Sequence, residues 1–372
     1  MSQSQPKIAN QCEMLANRLR KRRRHLGKWA KRTGAGLYRL YDRDIPEIPL
    51  VLDWVSGNRE GVPGNALTGA LYRRPYEKDE AEEAAWLSAM KDAVGEALEI
   101  DRNRIFIKER RHTSHNGQEN GGNRGQYEKM ADRGFTMDLR EGGLNFRVNL
   151  SGYLDSGLFP DRRLLRSKIR EEARGKRVLN LFAYTCSFSV YAAGGGALEI
   201  DSVDLSHTYL DWGMENFALN GFKGTKMSPW DFSAKAAGFV RGRRKTAVQA
   251  GLPPYRFIRG DVLPFLREAG KAGLVWDLII LDPPTFSNSK KMEDALDIKR
   301  DYPRLIANCL ELLSSTGKLW ISINARGLSL VQAAGDGSFP GTEFTDMTEK
   351  LRDEDFRDKR IPRCCVLERR LV

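Results

Sequence analysis

From about residue 160 onward the chain repeats one pattern: an apolar run of strand length, an acid or a turn at its end, then a helical stretch. "KRVLNLFAYTCSFSVYAA", "ALEIDSVDLSHTYLDWGMENFALNG" and "YRFIRGDVLPFLREA" follow it, and "WDLIILDPPTF" and "KLWISINARG" add further strands. Strands alternating with helices predict an α/β fold built on a parallel, doubly wound sheet. In such sheets a ligand sits beyond the carboxyl ends of the strands. Three strands end there at an acid: Asp204 after "IDSV", Asp261 after "FIRG" and Asp282 after "LIIL". A single acid at a strand end is usually a turn residue. Three in register form a candidate site.

The remainder reads as two further segments, since 372 residues exceed one small core. Residues 1–35 predict a helix with Leu15, Leu19, Leu26 and Trp29 on one face and dense positive charge elsewhere. Residues 36–149 predict a small α+β domain, with strands at "LYRLY", "IPLVLDWV", "NALTGALY", "RIFIKER", "FTMDL" and "LNFRVNL" and a helix over 79–98. Its Gly- and Asn-rich insert "HTSHNGQENGGNRGQ" predicts a loop. Residues 150–372 hold the alternating pattern.

Lys and Arg number 61 against 49 Asp and Glu, a net charge of +12, which calls for an anionic partner. The basic helix concentrates this charge at Arg18, Arg20, Arg22, Arg24 and Lys28. A face of like charges repels itself, and a polyanion relieves the repulsion as it displaces counterions. The plainer reading is a solvated basic helix. No apolar run approaches the ~20 residues of a membrane span, and the opening residues do not resemble a signal peptide. Five cysteines and four histidines show no metal-ligand spacing, so free thiols in a reducing cytoplasm, with no metal and no membrane, are expected.

At the acids, the first strand ends in "NLFAYTCS", without the GxGxxG of a dinucleotide site or the GxxxxGK[ST] of a triphosphate site. A nucleoside that carries a sulfonium and an amino acid, S-adenosylmethionine, fits acids better than phosphates do. In "LIILDPPTFSNSK" two prolines remove two amide donors and stiffen the backbone after Asp282. A stiff loop presents carbonyl oxygens and the Phe286 ring at a set distance, where a base can stack in line with an activated methyl group.

These stretches resemble the RlmK-type 23S rRNA guanine-N(7) methyltransferases, usually met as the second half of a fused RlmKL protein. "SGYLDSGLFPDRR", "LNLFAYTCSFSVYAA", "VDLSHTYLDWGMENFALNG", "LDPPTFSNSKKMEDALDIKRDY" and "INARGL" carry the resemblance. "MLANRLRKRRRHLGKWA", "LYRLYDRDIPE" and "DFRDKRIPRCC" extend it over nearly the whole chain. It implies a Rossmann-like class I methyltransferase domain behind an RNA-binding α+β domain, with 23S rRNA or a large-subunit precursor as partner. It also implies donor contacts at Asp161, Arg162, Asn180, Phe182, Thr185, Asp204, Asp261 and Asp282. The base would face Asp282, Pro283, Pro284 and Phe286, with Asn288 and Lys290 beside it. A ring nitrogen such as N7 of guanine carries a free lone pair, so direct transfer needs no general base.

The sequence departs from the family in two places. Cys186 stands where relatives commonly read glycine, and residues 225–256 are lengthened around "VRGRRK". The other half of the fused protein is absent from this sequence. Other chemistries remain open. Carbon-5 methylation of cytosine needs an attacking cysteine, but Thr285 follows the prolines, and Cys309 and Cys365 read as core and tail residues. Exocyclic amine methylation uses a similar acid-Pro-Pro-aromatic motif. A non-catalytic ribosome-assembly factor would keep the fold without the donor site. A small-molecule methyltransferase would have no use for the basic helix.

Overall fold

The structure is a computed structural model that describes residues 4–72, 79–110, 134–228, 253–284, 286–287, 296–324, 339, 341–356 and 362–369. The expected loop "HTSHNGQENGGNRGQ" and the basic "VRGRRK" segment lie outside these residues. The chain divides into two compact units, Met1–Pro160 and Asp161–Val372.

The first unit comprises α1 (Ser4–Thr33), β1 (Leu37–Asp42), β2 (Leu50–Arg59), β3 (Val62–Tyr72), α2 (Glu80–Leu98), β4 (Ile105–Arg110), β5 (Thr136–Glu141) and β6 (Leu144–Asn149). Its sheet runs β4-β3-β2-β5-β6, with β1 also paired to β2. The β2–β3 hairpin turns on Glu60 and Gly61, both at positive φ (51° and 82°), the two-residue turn that matches strand twist. Asp79 caps α2, accepting from the Ala81 and Glu82 amides at 2.9 and 3.2 Å. The apolar face of α1 joins this core: Leu15, Leu19, Leu26 and Trp29 pack with Tyr38, Leu40, Trp54 and Trp86. The basic helix over 1–35 therefore shares one core with the residues over 36–149, and the division between units falls after Pro160.

The second unit comprises α3 (Arg163–Glu172), β7 (Arg177–Leu181), α4 (Ser187–Gly194), β8 (Glu199–Asp204), α5 (His207–Ala218), β9 (Thr225–Met227), β10 (Tyr255–Arg259), α6 (Val262–Lys271) and β11 (Trp276–Leu281). After these come β12 (Phe286–Ser287), β13 (Leu296–Asp297), α7 (Ile298–Glu311), β14 (Leu313–Ile323), β15 (Thr342–Asp346) and β16 (Arg363–Arg369). The main sheet runs β15-β16-β14-β11-β7-β8-β10-β9. It is parallel from β9 to β14, and β15 and β16 close one edge antiparallel. All five strands expected in this half are present, and the fold is Rossmann-like.

Chain order reverses between β7 and β11: β8 and β10 lie on one side, β14 on the other. That is the switch point of a doubly wound sheet, where ligands bind. Register sets Leu281 beside Leu181, and Leu181 beside Val203. Asp282, Phe182 and Asp204 therefore leave the sheet from neighbouring strands at one level. One sequence expectation needs correction. Cys365 is not a tail residue, because β16 pairs with β14 at Ile321 and buries Cys365 completely in the sheet core.

Candidate active site

The segment after β7 is held in an unusual backbone. Phe182, Tyr184 and Cys186 all have positive φ (55°, 50° and 59°). Non-glycine residues in this left-handed region are uncommon and store strain, which collects at functional sites. The next strand holds the segment in place. The Ala183 amide donates to the Val203 carbonyl at 3.0 Å, and the Tyr184 amide donates to Asp204 Oδ2 at 2.8 Å. Thr185 is fully buried, and its carbonyl accepts from Asn216 Nδ2 at 2.9 Å.

Asp204 is the acid of this edge. Its Oδ1 accepts from the Ser206 amide at 2.8 Å, so each of its oxygens is fixed by a backbone donor and keeps lone-pair capacity for a further hydroxyl. Only 8 % of the residue is exposed, and burial pushes its carboxyl up to about 6 despite the amides that favour the charged form. Gly260 donates to the Asp204 carbonyl at 3.0 Å, which sets Asp261 next to it. The Asp261 side chain caps α6 by accepting from the Leu263 amide at 3.1 Å.

Across the switch point lies a charged cluster. The buried Arg162 guanidinium grips Asp282 through three contacts: Nε to both oxygens at 3.2 Å and Nη2 to Oδ1 at 2.9 Å. Its Nη1 donates to Asp161 Oδ2 at 2.7 Å, and Asn324 Nδ2 reaches the same oxygen at 3.3 Å. Pro283 is buried and Pro284 half-buried, so the backbone leaving Asp282 is fixed at both its side chain and its rings. On β7, Asn180 Nδ2 donates to Ser189 Oγ at 2.9 Å, and Ser189 meets Ser202 at 2.8 Å.

Two buried oxygens here, Asp161 Oδ1 and Asn180 Oδ1, have no donor among the described residues. Buried acceptors are normally satisfied. Two such acceptors at the sheet edge that also carries Asp204, an acid with spare lone pairs, fit a ligand that brings hydroxyl and ammonium donors. S-adenosylmethionine, with its ribose diol and α-ammonium group, is such a ligand.

The structure thus gathers Asp161, Arg162, Asn180, Phe182, Thr185, Asp204, Asp261, Asp282, Pro283 and Pro284 at one edge of the sheet. Arg162 is engaged by Asp282 and Asp161. Phe286 pairs through its backbone with Asp297; Asn288 and Lys290 lie outside the described residues.

The expected RNA contacts divide. Arg20, Arg24 and Lys28 are exposed. Arg22 is 7 % exposed and donates to the Leu40 carbonyl at 3.2 Å, so it belongs to the core and not to an RNA surface. It sits one turn from Leu19 and Leu26 on the packed face, and charge density alone does not reveal that. Arg18 is part-buried against Asp44 at 2.6 Å.

One partnership escaped the sequence. A Cβ on Gly213 would lie 2.6 Å from Cys186 Sγ, so this helical glycine makes room for the cysteine. Its signal was a glycine in mid-helix, which costs ~1 kcal/mol and calls for a packing reason.

Comparison with known proteins points to the same cofactor. Residues 127–244 match the profile of a family described as S-adenosylmethionine-dependent methyltransferase. Ribosomal RNA large subunit methyltransferase K of Neisseria meningitidis is 40 % identical over 94 % of this chain and 85 % of its own length. Ribosomal RNA large subunit methyltransferase K/L of Methylococcus capsulatus is 38 % identical over 96 % of this chain, which spans 42 % of that protein. Among solved structures, a methyltransferase complexed with SAH superposes with a TM-score of 0.66 at 21 % identity, covering 96 % of this chain and 81 % of the other. A SAM-dependent methyltransferase from Streptococcus mutans gives 0.65 at 20 % identity with the same coverage. At such identities the likeness concerns the fold.

Proposed function

Because the chain belongs to the family of the ribosomal RNA large subunit methyltransferases K and K/L, we propose that it methylates ring nitrogen 7 of a guanine in 23S rRNA or its precursor by direct transfer. S-adenosylmethionine supplies an already activated methyl group, so the protein's task is alignment. Asp204 receives the ribose hydroxyls, and Asp261 follows it at the next strand end. Asp161 and Asn180 offer their unmatched oxygens to the amino-acid end. The Asp282-Pro283-Pro284 backbone sets where a base stops, with Phe286 as its stacking surface.

One observation carries the choice of a ring nitrogen: Arg162 holds the Asp282 carboxylate in a three-contact grip. An acid that must take up the protons of an exocyclic amine needs its oxygens aimed at that amine. Here they are aimed at a buried guanidinium, and Asp282 serves as the anchor of the loop. A free guanine N7 needs no such acceptor.

The cytosine route also lacks support. Cys186, Cys309, Cys364 and Cys365 are all buried. Burial pushes the Cys309 and Cys365 thiols far up. Cys364, which the Arg162 charge reaches, still stands at about 11 because burial outweighs that charge. Thiols in this state are poor nucleophiles.

The test is to incubate the protein with large-subunit rRNA and labelled donor, digest the RNA and identify the nucleoside. N7-methylguanosine supports the proposal. A methylated exocyclic amine or 5-methylcytidine refutes it, and rRNA from cells without the protein locates the position.

A further inference from the structure

Helix α1 divides its many cations into two sets. Three arginines are engaged with the rest of the first unit: Arg18 with Asp44 at 2.6 Å, Arg22 with the Leu40 carbonyl at 3.2 Å, and Arg23 stacked 3.9 Å over the Trp54 ring. Six others, Arg20, Lys21, Arg24, Lys28, Lys31 and Arg32, are exposed. At about 100° per residue these six fall within an arc of roughly 120°, and at about 1.5 Å per residue they run for roughly 18 Å along the axis. No acid occurs in the helix after Glu13. The face opposite them is fixed, because Leu15, Leu19, Leu26 and Trp29 are buried in the core.

Arg20, Arg24, Lys28 and Arg32 stand four apart, so like charges adjoin at each turn and destabilise the helix. Burial of the opposite face holds them in line regardless. We infer that this ridge is a docking surface for an RNA backbone, seating a run of phosphates by displacing their counterions. Its length argues against a small anion, since one phosphate would engage only one turn. Its placement argues against a membrane: an interfacial helix inserts an apolar face, and here that face is inside the protein. The inference rests on the proposed RNA substrate and adds the surface that holds it.

The experiment compares the whole 372-residue chain with R20E/R24E/K28E for binding to a large-subunit rRNA transcript over a range of KCl concentrations. Donor affinity by calorimetry and far-ultraviolet circular dichroism confirm that the variant is folded. Loss of three phosphate contacts should lower the logarithmic salt slope by about 2 to 3, at roughly 0.7 to 0.9 per contact. RNA affinity should fall at least tenfold, and the loss in methylation should appear mainly in KM for RNA.

R22Q is the control: it should lose stability but keep the slope. An unchanged slope in the folded triple variant overturns the ridge while leaving methylation intact. RNA binding with the ridge slope but without methylation overturns the proposed reaction and leaves the ridge standing. Charge-dependent capture on anionic phospholipid vesicles, with no RNA affinity, overturns the inference in favour of a membrane surface.

Discussion

Replacing Asp204 with asparagine separates the cost of burying this acid from its use. The carboxyl stands at about 6 in the fold against an ordinary 3.8, raised by burial. A gap of about 2 pH units, at about 1.36 kcal/mol per unit, makes the ionised acid cost the fold about 3 kcal/mol at neutral pH. The sign follows from proton uptake. With the folded pKa raised, the contribution to stability is full below 3.8 and is lost as pH rises through about 6.

Asparagine carries no charge, but its amino group must face one of two backbone donors, the Tyr184 or the Ser206 amide. Leaving one donor unmatched costs ~1–3 kcal/mol. The apo variant should therefore be between about equal and ~2 kcal/mol more stable than the parent at pH 7.5. The amide cost does not change with pH, whereas the charge cost does. Urea unfolding of both proteins should show the parent regaining about 1 kcal/mol relative to the variant between pH 7.5 and pH 5. Calorimetry should show donor binding weakened by ~1–3 kcal/mol. A stability difference that stays flat with pH, or a carboxyl titrating near 4 by carbon-13 NMR, refutes the reasoning.

Arg162→Lys replaces a planar fork by a point charge, and should cost ~1–3 kcal/mol in transition-state stabilisation with the fold retained, read as kcat/KM on rRNA. Gly213→Ala drives a methyl against Cys186 Sγ and should cost ~1–3 kcal/mol; adding Cys186→Gly should recover all of it, as thermal unfolding of the single and double variants will show. Phe286→Ala should spare donor affinity and lose ~1–3 kcal/mol of base stacking, seen as lower turnover on RNA. Cys309→Ser should lower the melting temperature through a buried hydroxyl without altering the methylated product.

The strands of the second unit were legible because buried parallel strands are short apolar runs with no competing reading. Val178 to Leu181 and Leu278 to Leu281 are almost completely buried. Their acids were legible because an acid directly after such a run has few places to go except the strand ends. What the acids do with each other was not. Arg162 and Asp282 are 120 positions apart in sequence, and no local pattern connects them. The basic helix shows the same limit in reverse. Its composition announced an anionic partner, but which arginines face solvent depends on Leu40, Asp44 and Trp54, which lie in other elements. Positive φ at Tyr184 and Phe182 was invisible for a similar reason: both are bulky residues, and only tertiary contacts hold them there.

The strain at this edge has a consistent direction. A left-handed residue with a side chain costs ~1–2 kcal/mol relative to the ordinary helical region, and glycine escapes most of that cost. Cys186, at φ 59°, carries a side chain in this region. The fold offsets the cost locally, because the Cys186 side chain fills the space that Gly213 leaves on α5. The two positions therefore act as one unit, with a side chain on the loop and none on the helix. Exchanging them, as Cys186→Gly with Gly213→Ala, relieves the backbone and keeps that space occupied by a methyl from the other side. The exchanged protein should be at least as stable as the parent. If the strained loop matters to donor binding, its affinity will differ from the parent's while its stability does not fall. If stability drops and affinity holds, the left-handed cysteine is a packing choice alone.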